Sequence, residues 1–347
     1  MERLKTLYGV SFDIGYYKNY QDIILNIFDN DNLNHNLNDK NILNFIGLYY
    51  EFKIKDYNKM KKYFLMSIEL NNAKSMCNLG DYYRLVELNY NEMKKYYLMA
   101  IELNFATAMY HLGHYYQTIE KKYDEMKKYY LMAIELKHDK AMNNLGFYYK
   151  YIEKKYDKMK KYYLMAIELK NCDAMVNLAF YYKVIEKNYD EMKRYYLMAI
   201  ELNFATAMYH LGHYYQTIEK KYDEMKKYFL MSTKLNNSNA MNNLGYYYQI
   251  IEKKDDEMKK YYLMAIKLNN EFSLNNLCNY YDSYLQHYLL RHINSTIAIE
   301  KVKELEENNF LGVKIFKELT EYCFNPQRLL KLCNIYNIEL NDYMDII

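Results

Sequence analysis

The chain has 347 residues, more than one ordinary core holds, so two domains or a repeat array are expected. A hydrophobic fraction of 51% excludes global disorder, and 47 basic against 44 acidic residues, a net +3, lacks the basic excess of a dedicated nucleic-acid binder. A single proline, Pro326, suits a chain that is helical nearly throughout.

Residues 1–40 carry no repeat marker. Their start lacks the apolar run of a signal peptide. A short apolar segment, residues 20–28, is suited to capping the first repeat, and residues 30–40 form an Asn-rich polar link. From there to residue 283 one motif dominates. Variants of MKKYYLMAIEL begin at Met60, Met93, Met126, Met159, Met192, Met225 and Met258, each step being 33 residues. A second marker, LGxYY, keeps the same step through Gly47, Gly80, Gly113, Gly146, Ala179, Gly212, Gly245 and Cys278. Residues 102–129 are identical to residues 201–228, three repeats later, which reads as an internal duplication. Residues 284–347 lose the second-helix marker and read as two or three capping helices, including 295–305 and 311–323.

Each unit predicts two helices. In the first, Ala108, Leu112, Tyr115 and Tyr116 fall at i, i+4, i+7 and i+8, the spacing of a buried face. Glycine inside a helix costs up to about 1 kcal/mol against alanine. The recurrence of Gly113 and its equivalents therefore predicts a close approach, expected from a neighbouring helix backbone. In the second helix Asp124 is the expected N-cap. Met126, Tyr129, Tyr130, Ala133 and Ile134 share the apolar face, with Lys127, Lys128 and Glu135 opposite. One such pair cannot bury its own apolar face, whereas stacked pairs can. The fold class expected is all-α, a right-handed α–α superhelical solenoid with helical caps.

The order Ala108, Leu112, Gly113, Tyr116, Asp124, Met126, Tyr129-Tyr130, Ala133-Ile134 and Ala141 resembles the tetratricopeptide repeat and, more closely, its Sel-1-like relative. The spacing from Ala133 to Ala141 matches the Sel-1-like unit. The unit departs from that pattern in its shortened IEKKY connection and in Met126 where alanine is usual. The resemblance covers about residues 41–289. The Asn/Lys/Tyr-rich style also resembles Sel-1-like proteins of giant DNA viruses infecting amoebae, a likeness of composition.

The resemblance implies that the first helices line a concave face. Carried over by register, three columns would point there, running through Tyr110, His114 and Gln117. They vary between units, whereas the packing columns barely do. The candidate partner-binding residues are Tyr110, His114, Gln117, Phe147, Lys150, Phe180, Lys183, Tyr209, His213, Tyr246 and Gln249. Exposed aromatics beside polar groups favour a protein segment as the ligand. The function expected is thus a protein–protein scaffold or adaptor, with partner unspecified.

Other constellations point less clearly. His111 and His114, repeated as His210 and His213, have the i, i+3 spacing of a metal pair, but no Cys, Asp or His recurs beside them; no metal or cofactor is expected. A lysine stripe from Lys61-Lys62 to Lys259-Lys260, interleaved with tyrosine, leaves an RNA-binding solenoid as the alternative. That alternative needs exposed tyrosines and unneutralised lysines. No nucleophile elbow, P-loop, zinc-protease or dinucleotide motif is present, so an enzyme is not expected. The five cysteines form no CxxC pair and no apolar run reaches a membrane span, which predicts a reducing, cytoplasmic setting (a host's cytoplasm for a viral protein).

Overall fold

Seven Tyr-rich helices recur at the 33-residue step because each places methionine, two aromatics and a small residue on one face. In the computed structural model, which describes residues 38–277, 279 and 280, that face is buried in every repeat. The anticipated caps at residues 20–28 and beyond 284 lie outside the described residues. Among the described residues there is no strand, and no helix is long and apolar enough to cross a membrane.

The chain divides into two compact units between Leu178 and Ala179. The first holds α1 Lys40–Tyr49, α2 Tyr57–Glu69, α3 Ala73–Leu85, α4 Tyr90–Glu102, α5 Ala106–Tyr115, α6 Tyr123–Glu135, α7 Asp139–Tyr151 and α8 Tyr156–Glu168. The boundary falls within α9, Cys172–Tyr181. The second unit continues with α10 Tyr189–Glu201, α11 Ala205–Tyr214, α12 Tyr222–Lys234, α13 Ser238–Tyr247 and α14 Asp255–Ile266. Odd-numbered helices are the first of each repeat, even-numbered the second.

The core is the predicted one. Ala108, Leu112 and Tyr115 of α5 and Met126, Tyr129, Tyr130, Ala133 and Ile134 of α6 are all buried. The glycine column serves a different neighbour from the one expected. A Cβ on Gly113 would stand 2.7 Å from the Tyr130 ring, and one on Gly146 2.7 Å from Tyr163. The close approach is therefore an aromatic ring from the partner helix of the same repeat, and only secondarily backbone. Burying such a ring removes more apolar area from water than a backbone contact would, which makes the small residue worth its propensity cost.

The connections also differ from the reading of the sequence. Asp124 is not the N-cap of α6. Lys122 occupies that position without a side-chain cap, and Asp124 lies in the first turn, 3.1 Å from Lys127. The segment read as a short polar link continues α5 through one wide π-type turn, Tyr116–Glu120. It ends on Lys121 in the left-handed region, at φ 56°. Lys55, Leu88, Lys154, Lys187, Lys220 and Lys253 do the same at the 33-residue step. Tyr116 at the start of this turn stacks on Tyr129, with ring centroids 5.7 Å apart and planes 5° apart.

Candidate partner-binding face and a Cys–Asp–His cluster

The anticipated first-helix columns prove to have mixed exposure. Phe147 is 43% exposed, Phe180 39% and Tyr246 48%, high values for large rings on helices whose inner faces are closed. Phe147 is backed by Tyr151 at 4.4 Å between centroids. Tyr110, His114 and Gln117 in the first unit and Lys183, Tyr209, His213 and Gln249 in the second are half-buried. Lys150 departs from expectation. It is only 7% exposed, and its ammonium lies 4.8 Å from the Tyr151 ring centre, so it packs along the helix end instead of facing solvent.

The third column is tied to the core. Tyr130 Oη donates to Gln117 Oε1 at 2.6 Å and Tyr262 Oη to Gln249 Oε1 at 2.9 Å, while Arg84 Nε donates to Tyr97 Oη at 3.3 Å. Each partner lies 13 residues on, in the second helix of the same repeat. Where the column holds Lys150, the Tyr163 hydroxyl is buried with no protein hydrogen-bond partner among the described residues. Column variation at these positions thus partly reflects the phenol beneath.

A ladder between repeats escaped the sequence reading. Asn78 Nδ2 donates to Asn44 Oδ1 at 2.9 Å, and Asn177 Nδ2 to Asn143 Oδ1 at 3.0 Å. Asn144 Nδ2 lies 3.5 Å from Tyr110 Oη, and Asn276 Nδ2 donates to Asn242 Oδ1 at 3.1 Å. Each donor sits 34 residues after its acceptor, one repeat plus one residue. The signal was present as a column of Asn78, His111, Asn144, Asn177, His210, Asn243 and Asn276. Histidine takes the amide's place twice.

At the first of these, the structure brings together residues that the sequence left apart. Cys77 and Asp81 of α3 meet His111 of α5, with their Sγ, carboxylate oxygen and ring nitrogen all within 4.8 Å of one another. Asp81 Oδ1 accepts from Tyr97 Oη at 2.7 Å and from Arg84 Nη2 at 3.0 Å, while Oδ2 faces His111 Nε2 at 3.8 Å. Burial pushes the Cys77 thiol well up and holds the His111 imidazole below its ordinary value, so both are neutral. His114 lies outside the cluster and flanks Tyr110, its ring 6.2 Å away.

The lysine stripe is largely neutralised. In five of the pairs the first lysine reaches a glutamate 26 residues on: Lys61 to Glu87, Lys94 to Glu120, Lys127 to Glu153 at 3.5 Å, Lys193 to Glu219 at 2.5 Å and Lys226 to Glu252 at 2.6 Å. The same ammonium groups sit over tyrosine rings, Lys94 at 5.1 Å from the centre of Tyr115. The ring pairs beneath the stripe are core, Tyr129 being 8% and Tyr130 0% exposed.

A scan of the sequence against protein-family models matches none, and a search of the curated proteins finds no match. Solved structures do match. A Sel1 repeat protein from Oxalobacter formigenes aligns over 67% of this chain and 100% of its own, at 22% identity and a TM-score of 0.54. The protective antigen c5321 of uropathogenic Escherichia coli, described as displaying an SLR fold, aligns over 78% of this chain and 60% of its own, at 20% identity and a TM-score of 0.52. The giant-virus likeness drawn from composition gains no support from these neighbours. With helix pairs at a fixed step, a ring seated on a glycine in nearly every pair, and these two alignments, the chain has the all-α repeat-solenoid fold of Sel1-like repeat proteins.

Proposed function

We propose that this chain is a non-catalytic protein-interaction scaffold, which binds a helical or extended segment of a partner protein along the exposed rings of its first helices. The observation that carries this reading is the exposure of Phe147, Phe180 and Tyr246, between 39% and 48%, on helices whose packing positions are closed and nearly invariant. Large rings presented on a rigid helix offer contact area at little cost in conformational entropy. Half-buried Tyr110, His114 and Gln117 in the first unit, and Lys183, Tyr209, His213 and Gln249 in the second, supply the polar surround. Lys150 has a supporting role under this reading, through Tyr151 and Phe147.

The RNA-binding alternative is less favoured. Stacking on bases requires exposed rings, and phosphate contacts require free ammonium groups. Tyr129 and Tyr130 are buried, and Lys61, Lys94, Lys127 and Lys226 are engaged by glutamates. A reducing, cytoplasmic setting suits the buried free thiol of Cys77.

The test is affinity capture from cell lysate on the full chain and on a Phe147→Ala, Phe180→Ala variant, each with and without nuclease. Discrete proteins retained after nuclease and lost in the variant are expected. Capture unchanged by the variant would overturn the assigned face, and capture that collapses with nuclease would establish the RNA reading instead.

A further inference from the structure

The geometry points to a zinc-class metal site formed by Cys77, Asp81 and His111, a clip between the first helices of two consecutive repeats in the first unit. Such a site neither requires nor excludes protein binding along the exposed rings.

The ladder between repeats explains why these residues meet. At four other steps the residue 34 positions after the first-column side chain is an asparagine within hydrogen-bond reach of it, as Asn78 is of Asn44 and Asn177 of Asn143. Applied to His111, the same step leads to Cys77. A register that aligns amide with amide at Asn44–Asn78, Asn143–Asn177 and Asn242–Asn276 here aligns imidazole with thiol. Asp81, one turn beyond Cys77 on the same face of α3, supplies the third donor.

The donor set is that of zinc, with one sulfur, one nitrogen and one oxygen ligand. Zn–S near 2.3 Å and Zn–N near 2.1 Å imply a tetrahedral S···N separation of roughly 3.5 Å, so the three atoms must close by about an ångström from their present spread. The carboxylate is already oriented for it: Oδ1 is held by Tyr97 and Arg84, which leaves Oδ2 turned to His111. The Cys77 thiol releases its proton to solvent as the metal binds. With a thiolate and a carboxylate against a dication, and the Arg84 guanidinium alongside, the site carries a net single positive charge. Three protein ligands leave the fourth position for water.

The chain contains its own control. His210 is the duplicate of His111 within the identical segment, but the register equivalents of Cys77 and Asp81 are Val176 and Phe180, which bind no metal.

The experiment is titration of the purified, reduced full chain with Co²⁺, followed by displacement with Zn²⁺. Expected is a thiolate-to-cobalt charge-transfer band in the near ultraviolet that saturates at a single equivalent and is bleached by zinc. His111→Asn and Cys77→Asn restore the amides that other repeats carry at these places, so both should fold and both should lose the band. His210→Asn should keep it. A chain that shows no band, or a band that survives in Cys77→Asn, would overturn the site.

Discussion

The hydroxyl of Tyr130 donates to Gln117 Oε1 at 2.6 Å, bridging the end of α5 to the middle of α6 beneath the surface. The duplicated segment repeats Gln117 as Gln216, but the ring 13 residues on is Phe229, which has no hydroxyl. The copy therefore lacks the hydroxyl that in Tyr130 donates to Gln117 and accepts from Asn144 Nδ2 at 3.3 Å. Tyr130→Phe should destabilise the chain by about 1 kcal/mol, the worth of one such bond. Phe229→Tyr should recover a similar amount by giving Gln216 a donor. Urea denaturation of both variants, read at the transition of the unit that contains each, measures the pair. A Tyr130→Phe chain as stable as the parent would show that the bond is exchanged freely with water.

A Cβ on Gly113 would lie 2.7 Å from the Tyr130 ring, closer than carbon atoms pack, yet Ala179 occupies the register equivalent of Gly113, as Tyr196 does of Tyr130, and both are buried. The ring can therefore yield to one methyl. Gly113→Ala should fall within about 1 kcal/mol of the parent, because the helix propensity gained offsets the ring's displacement. Gly113→Val has no such precedent and should cost about 1–3 kcal/mol through overpacking. Thermal and urea unfolding of the two variants distinguish these outcomes, and a valine as well tolerated as alanine would contradict the seated-ring account.

The helix pairs and the core were legible in the sequence, since Met126, Tyr129, Tyr130, Ala133 and Ile134 recur at a step that only stacked helices satisfy. The need for a small residue at Gly113 was legible, but its neighbour was not, because spacing along one helix does not say which ring crosses it. The π-type turn and the left-handed Lys121 were hidden by residues with no preference for either conformation. At the candidate face, the exposed rings of Phe147, Phe180 and Tyr246 lie on the columns named from register, while Lys150 turns inward. The Cys77–Asp81–His111 cluster was missed since it forms at a step of 34, one beyond the period, where column comparison does not look.

Stability should fall with acid in two windows, because two kinds of group with different ordinary values, histidine and glutamate, are both held down in the folded chain. Burial, then the nearby charge of Lys183, holds His210 down to about 4 from its ordinary 6.5. A histidine depressed in the folded chain takes up its proton more readily when unfolded, so its contribution is complete above 6.5 and is lost as pH falls from 6.5 to about 4. Glu120 is lowered to about 2 by its bonds with Lys122 and Lys94, and Glu219 to about 2 by those with Lys193 and Lys221. A carboxylate depressed in this way stabilises above its ordinary 4.5 and loses that contribution between 4.5 and about 2. Glu51 runs the other way. Desolvation and then Asp81 push it up to about 7, so it costs stability as pH rises from 4.5 towards 7 and partly offsets the histidine in that range. The variants separate the three. His210→Asn should flatten the upper window, and Glu120→Gln with Glu219→Gln should flatten the lower one. Glu51→Gln should steepen the upper loss by removing the opposing group. Urea midpoints measured at intervals from pH 7 to pH 3 supply the test, and upper-window slopes unchanged by either His210→Asn or Glu51→Gln would refute the burial assigned to both groups.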